Sequence, residues 1–541
     1  ADCKHFAAYD LENWEGIDRF SFDARVSNQD LSEFYLPSFQ SCVRDAKAGS
    51  VMCSYNSVNG IPACASSYLL QTILRDHWGF NDDRWVTSDC DAVNNIFSTH
   101  HFTSTYAEAV ASALKAGTDI DCGNTYAEHL PEALNQSLIT RTDLERALVR
   151  QYTSLVRLGY FDPPDVQPYR QLDWSDVNSP NAQQLAYQAA VEGIVLLKND
   201  GTLPFNTSIR TLAVIGPWAN ATTQMQGNYR GIAPFLISPL QAASDAGYQP
   251  TFVQGTTISV EFEGQDRTTI VWPGVQLDLI AALEAVGKPL VVLQFGGGQV
   301  DDLALKNNQT VNAILWAGYP GQSGGTAIFD ILSGKASPAG RLPTTQYPAA
   351  YTDQVPMTDM SLRPSATNPG RTYKWYQGTP VFEFGHGLHY TTFNVQWQHT
   401  PPTQYNIASL ISDASSDSPL DLATFDTFDI TVQNTGKVTS DYVALLFVNS
   451  TAGPAPHPNK QLVSYSRLHQ LAGGSNSSAS LSVTLGSIAR ADTAGDLWIY
   501  NGSYQLNIDT GPVLLTHQFE LIGQPAQISQ MPRDNSTTGT A

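Results

Sequence analysis

Over its first 125 residues the chain alternates two periodicities, and that alternation limits the folds open to it. Short runs that end in polar residues fall at Cys3–Phe6, Ser50–Cys53, Arg84–Thr87 and Thr118–Asp121, and they read as strands. Between them the spacing is helical. Leu31, Phe34, Tyr35, Phe39, Cys42, Val43 and Ala46 share one face, and Leu69, Leu70, Ile73, Leu74 and Trp78 share another. Four strand-helix units in succession predict a parallel sheet, which must be covered or closed, and eight such units close a TIM barrel. The expectation is therefore a multidomain α/β plus β protein that opens with the C-terminal half of a (β/α)8 barrel over residues 1–162.

A Pro-rich stretch, FDPPDVQPYRQLDWSDVNSP, predicts a linker over 163–183. A second α/β region is expected over 184–395. It carries a helix at Leu185–Glu192, strands at Leu212–Ile215, Pro289–Gln294 and Ala313–Trp316, and a Gly-rich helix start at Gly321–Gly325. After a further linker, 396–426, the pattern becomes two-residue alternation. FDITVQ and SYQLNI, with NTGK, GGSNSS and NGS turns, predict a β-sandwich over 427–525, followed by a polar tail, 526–541.

The net charge of -21 with only 29 Lys and Arg argues against nucleic acid and anionic membrane surfaces and favours a neutral substrate. No apolar run reaches the 18 residues of a membrane span. Glycosylation acceptors at Asn135, Asn206, Asn220, Asn308, Asn449, Asn476, Asn501 and Asn535 suit a secreted, extracellular glycoprotein. The six cysteines, Cys3, Cys42, Cys53, Cys64, Cys90 and Cys122, lack zinc-site spacing and predict disulfides within one domain. Their connectivity is open at this point; Cys53 to Cys64 is the shortest closure.

Carboxylates at strand ends are the first candidates for chemistry, because such a sheet presents its strand C-termini to the active face. Asp89 follows Trp85-Val86-Thr87-Ser88, with Asp91 close behind, and Asp119 and Asp121 end the next strand. Helix capping is the ordinary structural role of an Asp placed so. Lys4 and His5 end the first strand and Tyr55 the second, so a cation, an imidazole and a phenol would meet Asp89 at one rim, as a polyhydroxylated ligand requires.

These residues lie in CKHF, MCSYNSVNGIPAC (Met52 to Cys64) and VTSDCDAV (Val86 to Val93), which resemble successive barrel segments of glycoside hydrolase family 3. LLKNDGTLPF, VIGPWAN, GYPGQSGG, SPAGRLP and FEFGHGLHYTTF resemble that family's α/β-sandwich domain. VQNTGKVTSDYVALLFV resembles its fibronectin type III-like domain. Cys90 after the candidate nucleophile, together with DIDCG and RTYKWYQGTPVFEFGHGL, resembles the β-xylosidase branch.

The resemblance implies a retaining exo-1,4-β-xylosidase that acts on xylo-oligosaccharides in xylan breakdown, with no metal and no organic cofactor. Asp89 would be the nucleophile, with Lys4, His5 and Tyr55 binding substrate. Glu261 would be the acid/base, by the match of VEFEGQDR before WPG, with Glu263 as the alternative. A β-glucosidase, an α-L-arabinofuranosidase or an inactive fragment are the competing expectations. Two departures accompany the resemblance: the first barrel half with its Trp-Ser-Glu-Ala-Leu-His-Gly segment, and a helix and strand expected just before Glu261.

Overall fold

The computed structural model describes residues 1–256, 266–414 and 418–534. β1 (Asp2–Phe6), β2 (Ser50–Cys53) and β3 (Trp85–Ser88) form a parallel sheet in that order, with Ser50 opposite Trp85 and Cys53 opposite Ser88. Parallel neighbours need crossovers, and the predicted helical faces supply them. The π-wound helix Tyr68–His77 buries Leu69, Leu70, Ile73 and Leu74. The helical run that begins at Asn28 buries Leu31, Tyr35 and Val43 but leaves Phe34 40% exposed.

The fourth expected strand, Thr118–Asp121, shrinks to a single parallel bridge between Thr87 and Ile120. The Asp119 carboxylate takes the Val86 N–H at 2.9 Å, a donor that an extended fourth strand would have used. α1 (Tyr106–Ala116) and α2 (Arg141–Arg157) follow, each started by a capping box, Thr105 with Glu108 and Thr140 with Asp143. A capping box satisfies two N–H groups that a helix start leaves unpaired.

In the second region α3 (Pro180–Gly193) leads into β4 (Val195–Asn199), then β5 (Thr211–Ile215) and β6 (Gln249–Val253). β7 (Leu290–Gln294) and β8 (Val311–Trp316) complete it. β7 and β8 run parallel and β4 closes antiparallel on β8, while β5 and β6 form a separate parallel pair. Among the described residues nothing joins these two sheets by strand pairing. The Gly-rich start leads into α4 (Gly324–Leu332), where a Cβ on Gly325 would meet the carbonyl oxygens of Ile237 and Ser238 at 2.4 Å, so only glycine lets the helix approach.

The third region packs two sheets face to face. One orders Phe393–Trp397, Thr424–Asn434 and Asn476–Thr484; the other orders Gln404–Asn406, Leu515–Ile522, Gly502–Ile508, Ser440–Ser450 and Gln461–Leu471. Strand Ser440–Ser450 is apolar on both faces for a reason. Ala444, Leu446 and Val448 enter the sandwich core, whereas Val443, Leu445 and Phe447 pack against Tyr373 and Phe384 of the preceding region. Phe393–Trp397 and Gln404–Asn406 thus lie in sheets although the expected sandwich begins at 427. Ala526–Ser529, in the expected tail, pairs with Leu497–Ile499. Among the described residues no helix is long and apolar enough to cross a membrane.

Candidate active site

The C-terminal ends of β1 to β3 bring His5, Tyr55 and Asp89 to one rim. The Asp89 N–H donates to the Cys53 carbonyl at 3.0 Å, which continues the parallel ladder one residue past the strand and fixes where the side chain leaves the sheet. Its Oδ1 accepts the Cys90 N–H at 2.8 Å, and its Oδ2 lies 3.5 Å from His5 Nε2. Asp89 keeps 14% of its side chain exposed, enough for a ligand to reach the free face.

Tyr55 is 8% exposed and its hydroxyl faces the Asp89 carboxylate closely enough to feel its charge. Burial, and then the charge of Asp89, push the phenol above its usual value, so it stays protonated and remains a donor. The loop after β1 supplies a supporting layer that the sequence did not reveal. Tyr9 stands edge-on to both His5 (5.0 Å) and Tyr55 (6.1 Å), and the Arg19 guanidinium lies 5.1 Å above the Tyr55 ring. Lys4 extends its ammonium over Tyr229 of the second region, 5.7 Å from the ring centre, and Tyr229 is 86% exposed. No motif marks Tyr9, Arg19 or Tyr229; only an aromatic and a basic residue soon after a candidate strand end could have hinted at the first two.

Three disulfides pair all six cysteines: Cys3 with Cys42, Cys53 with Cys64 as the shortest closure suggested, and Cys90 with Cys122. The last ties the residue after Asp89 to the segment beyond the fourth strand position. Gly123 sits there at φ +152°, and a Cβ on it would meet Asp91 Oδ1 at 2.8 Å.

Two of the strand-end carboxylates have structural work. Asp119 is buried and pairs with Arg75 (2.8 Å) and Arg150 (3.1 Å), an arrangement whose breakage leaves buried charges unpaired. Asp121 accepts the Tyr126 N–H at 2.9 Å at the start of a helix. Glu261 and Glu263 lie outside the described residues, as does Asn535. Asp266, just beyond, docks on the first region: its Oδ2 accepts the N–H groups of Glu12 (2.8 Å) and Asn13 (2.9 Å).

In the second region a cleft opens at the C-terminal ends of β7 and β8. Arg267, Trp272 and Tyr319 line it, and Trp218 stacks on Phe295 at 4.9 Å. It adjoins the Asp266 segment rather than enclosing Asp89. Among the described residues Glu192, Asp441 and His469 converge as metal-ligating types, but Arg467 already pairs with Asp441 at 3.0 Å and with Glu192 at 3.5 Å. A guanidinium in that position opposes a cation.

Known proteins match this arrangement closely. Residues 1–153 match the glycosyl hydrolase family 3 N terminal domain, and residues 194–390 the glycosyl hydrolase family 3 C-terminal domain. A probable exo-1,4-beta-xylosidase of Aspergillus fumigatus is 54% identical over 569 positions, covering 99% of this chain and 74% of that protein. Its counterpart in Aspergillus clavatus is 55% identical, covering 94% and 70%. The alignment of 569 positions exceeds the 541 residues available, so the Aspergillus fumigatus protein holds residues without counterpart here.

Among solved structures, a GH3 exo-beta-xylosidase in complex with a xylobiose aziridine activity based probe superposes with a TM-score of 0.97 at 47% identity. That superposition covers 99% of this chain and 74% of the other. A beta-glucosidase from Erythrobacter marinus superposes at 0.80 with 25% identity, covering 96% and 73%. Sequence and fold therefore define a glycoside hydrolase. The chain belongs to glycoside hydrolase family 3.

Proposed function

We propose that this protein is a retaining exo-1,4-β-xylosidase that releases D-xylose from the non-reducing ends of xylo-oligosaccharides, with Asp89 as its nucleophile. The observation that carries the reading is the Asp89 carboxylate itself, at a strand C-terminus, with one oxygen held by the Cys90 N–H and the other turned toward His5. The xylose preference is supported by the relatives' names and by the xylobiose-derived probe held by the solved neighbour.

The chemistry is double displacement. An Asp89 oxygen bonds to the sugar's C1 as the glycosidic C1–O bond breaks, and a carboxylic acid, assigned to Glu261 with Glu263 as the alternative, gives its proton to the departing oxygen. Water then attacks C1 while the same carboxylate takes its proton, the ester to Asp89 breaks, and both side chains return to their starting states. Lys4, His5 and Tyr55 would bind sugar hydroxyls, the last two from positions beside Asp89.

The finer architecture belongs to the same reading. Residues 1–162 would be the C-terminal half of a TIM barrel, 184–395 an α/β sandwich, and 427–525 a fibronectin type III-like sandwich, with linkers 163–183 and 396–426. Secretion and glycosylation fit the acceptors on exposed positions, Asn135, Asn206, Asn220, Asn476 and Asn501. Asn308 is a poorer acceptor because its side-chain nitrogen donates to Glu284 at 2.6 Å.

Asp89→Asn should lower kcat by about 10⁴-fold or more, the scale on which removal of a catalytic group acts, with the melting temperature unchanged. A 2-fluoro-xyloside should label the peptide Trp85–Val93 in the wild-type enzyme. Label on any other peptide, or turnover in the variant, defeats the assignment. Faster hydrolysis of p-nitrophenyl β-glucoside or α-arabinofuranoside than of the β-xyloside defeats the sugar preference alone.

A further inference from the structure

A nucleophile acts through its aim, and displacement of a reacting group by about 1 Å costs on the order of 10²-fold. The backbone just past β3 sets that aim for Asp89. Its Oδ1 accepts the Cys90 N–H at 2.8 Å, so the direction of the Cys90 peptide governs where the carboxylate points. The next residue, Asp91, stands at φ +66°. That left-handed conformation is unfavourable for a residue with a Cβ and persists where surrounding contacts enforce it.

On one side the turn is held by β2, through the Asp89 N–H and the Cys53 carbonyl at 3.0 Å. On the other side a full fourth strand would continue the ladder, but the chain there makes a single bridge, Thr87 with Ile120. Ties from residues 120–122 take its place. The Ser88 N–H donates to the Ile120 carbonyl at 2.8 Å, the Asp91 N–H to the Cys122 carbonyl at 2.7 Å, and the Cys122 N–H to Ser88 Oγ at 2.9 Å. The fourth tie is covalent: Cys90 and Cys122 form a disulfide, with their Cα atoms 4.4 Å apart. Ser88, Cys90 and Asp91 are thus all fastened to one short segment, with Asp89 among them.

That segment has its own anchor. Asp121 Oδ2 accepts the Tyr126 N–H at 2.9 Å at the start of helix Thr125–Asn135, and the Tyr126 hydroxyl donates to the Thr118 carbonyl at 2.7 Å. Gly123, where a Cβ would meet Asp91 Oδ1 at 2.8 Å, lets the two turns lie this close. The bond also differs in place from the Cys53–Cys64 disulfide. Cys53 and Cys64 are buried in the core, whereas Cys90 is exposed at the rim beside Asp89.

We propose that the Cys90–Cys122 disulfide is a positioning device for Asp89, holding the Cys90 N–H, and through it the carboxylate, aimed at the sugar's C1. The inference rests on the reading of Asp89 as the nucleophile. A disulfide that served stability alone would act on the unfolded chain, by closing a loop across a separation of 32 residues. Its loss would leave the rates of the folded enzyme unchanged.

The experiment compares wild type with the Cys90→Ser/Cys122→Ser double variant, at a temperature where both are folded. The rate of labelling by 2,4-dinitrophenyl 2-deoxy-2-fluoro-β-xyloside reports attack by Asp89, and inhibition by xylose reports the resting sugar site. Labelling should slow roughly 30- to 100-fold in the double variant, the cost of about an ångström of misplacement, while xylose binds within about threefold of wild type. The ratio kcat/KM should fall by the same factor on xylobiose and on p-nitrophenyl β-xyloside, because both leaving groups wait on the same attack. A double variant that melts lower but labels at the wild-type rate would overturn the proposal. So would a loss of xylose affinity in step with the loss of rate, since the bond would then shape the sugar site and not the aim. Should the double variant fail to fold, Ser88→Ala removes the hydroxyl that holds the Cys122 N–H and should slow labelling roughly 3- to 10-fold; an unchanged rate there overturns the proposal as well. In the wild type, label on a peptide without Asp89 defeats the nucleophile reading itself. Label on Asp89 at equal rates in both proteins defeats the positioning role alone.

Discussion

Tyr55 shows how one side chain acts twice at the rim. Its ring fills space between Tyr9 and Phe20, and its hydroxyl faces the charge of Asp89. Tyr55→Phe keeps the ring and removes only the donor. A polar group facing that charge is worth about 1 kcal/mol, so kcat/KM on p-nitrophenyl β-xyloside should fall roughly 5-fold with little change in melting temperature. Because burial and the neighbouring carboxylate raise the phenol's pKa, Tyr55 does not ionise at neutral or mildly alkaline pH. The alkaline limb of the pH profile should therefore be the same in wild type and variant; a limb that disappears in Tyr55→Phe would contradict the raised value. The meeting of His5, Tyr55 and Asp89 at one rim was legible in the sequence because each lies near or just past a strand end, and a strand's periodicity locates its end, whereas Lys4 extends over Tyr229. Tyr9, Glu12, Arg19 and Asp266 were not. They sit in irregular loops, and their contacts join positions as much as 254 residues apart, which no local pattern encodes.

At the level of elements, β7 ends in a buried carboxylate cradle. Asp302 is fully buried and accepts from Gln294 (2.5 Å), Gln346 (2.7 Å) and Trp272 (3.1 Å), joining the strand to two loops. Burial raises its pKa from 3.8 to about 6, against the pull of its three donors. Between those values the folded chain keeps a proton that the unfolded chain has lost. Its contribution is therefore fully present below about pH 4 and is lost as pH rises through 6. A shift of this size corresponds to about 3 kcal/mol. Asp302→Asn removes the titration, so the wild type's advantage in melting temperature should be largest near pH 4 and shrink toward pH 7; parallel curves would exclude the carboxylate as the source. Elements were the most readable scale, since β2, β3, β7 and β8 follow their apolar runs within a residue or two. The exceptions have tertiary causes. Thr118–Asp121 lost its ladder to the Asp119 side chain, and Phe393–Trp397 is a strand because Ile430–Asn434 pairs with it, a fact its own five residues do not announce.

Across the whole molecule, the core beneath the active rim is completed from far along the chain. Met360, Leu362, Trp375 and Met531 all pack into the cluster formed by the first region, and the Tyr35 hydroxyl donates to the Met360 carbonyl at 2.8 Å. Beside them lies a charged knot. Glu33 pairs with Arg363 and also accepts from Arg490 (3.1 Å) and the Ala491 N–H (2.6 Å), while Asp30 takes the other side of Arg363. Trp375, 2% exposed, lies against both guanidiniums, at 4.6 and 5.4 Å from its ring centre. Burial, with Arg490 nearby, lowers the Arg363 pKa to about 10, so Arg363 stays charged at neutral pH, and Glu33 bridges it to Arg490. Glu33→Ala leaves two buried cations sharing one aromatic and costs about 3 kcal/mol, as breaking a buried pair does. The expected result is a melting temperature lower by several degrees, with kcat/KM on p-nitrophenyl β-xyloside at 25 °C preserved, because Glu33 belongs to the helical run beneath the sheet and not to the strand ends. If activity fell with stability unchanged, the knot would have to act on Asp89 directly. If neither moved, the cation pair would be held apart by something other than Glu33, with Asp30 the remaining acidic partner of Arg363 to substitute next.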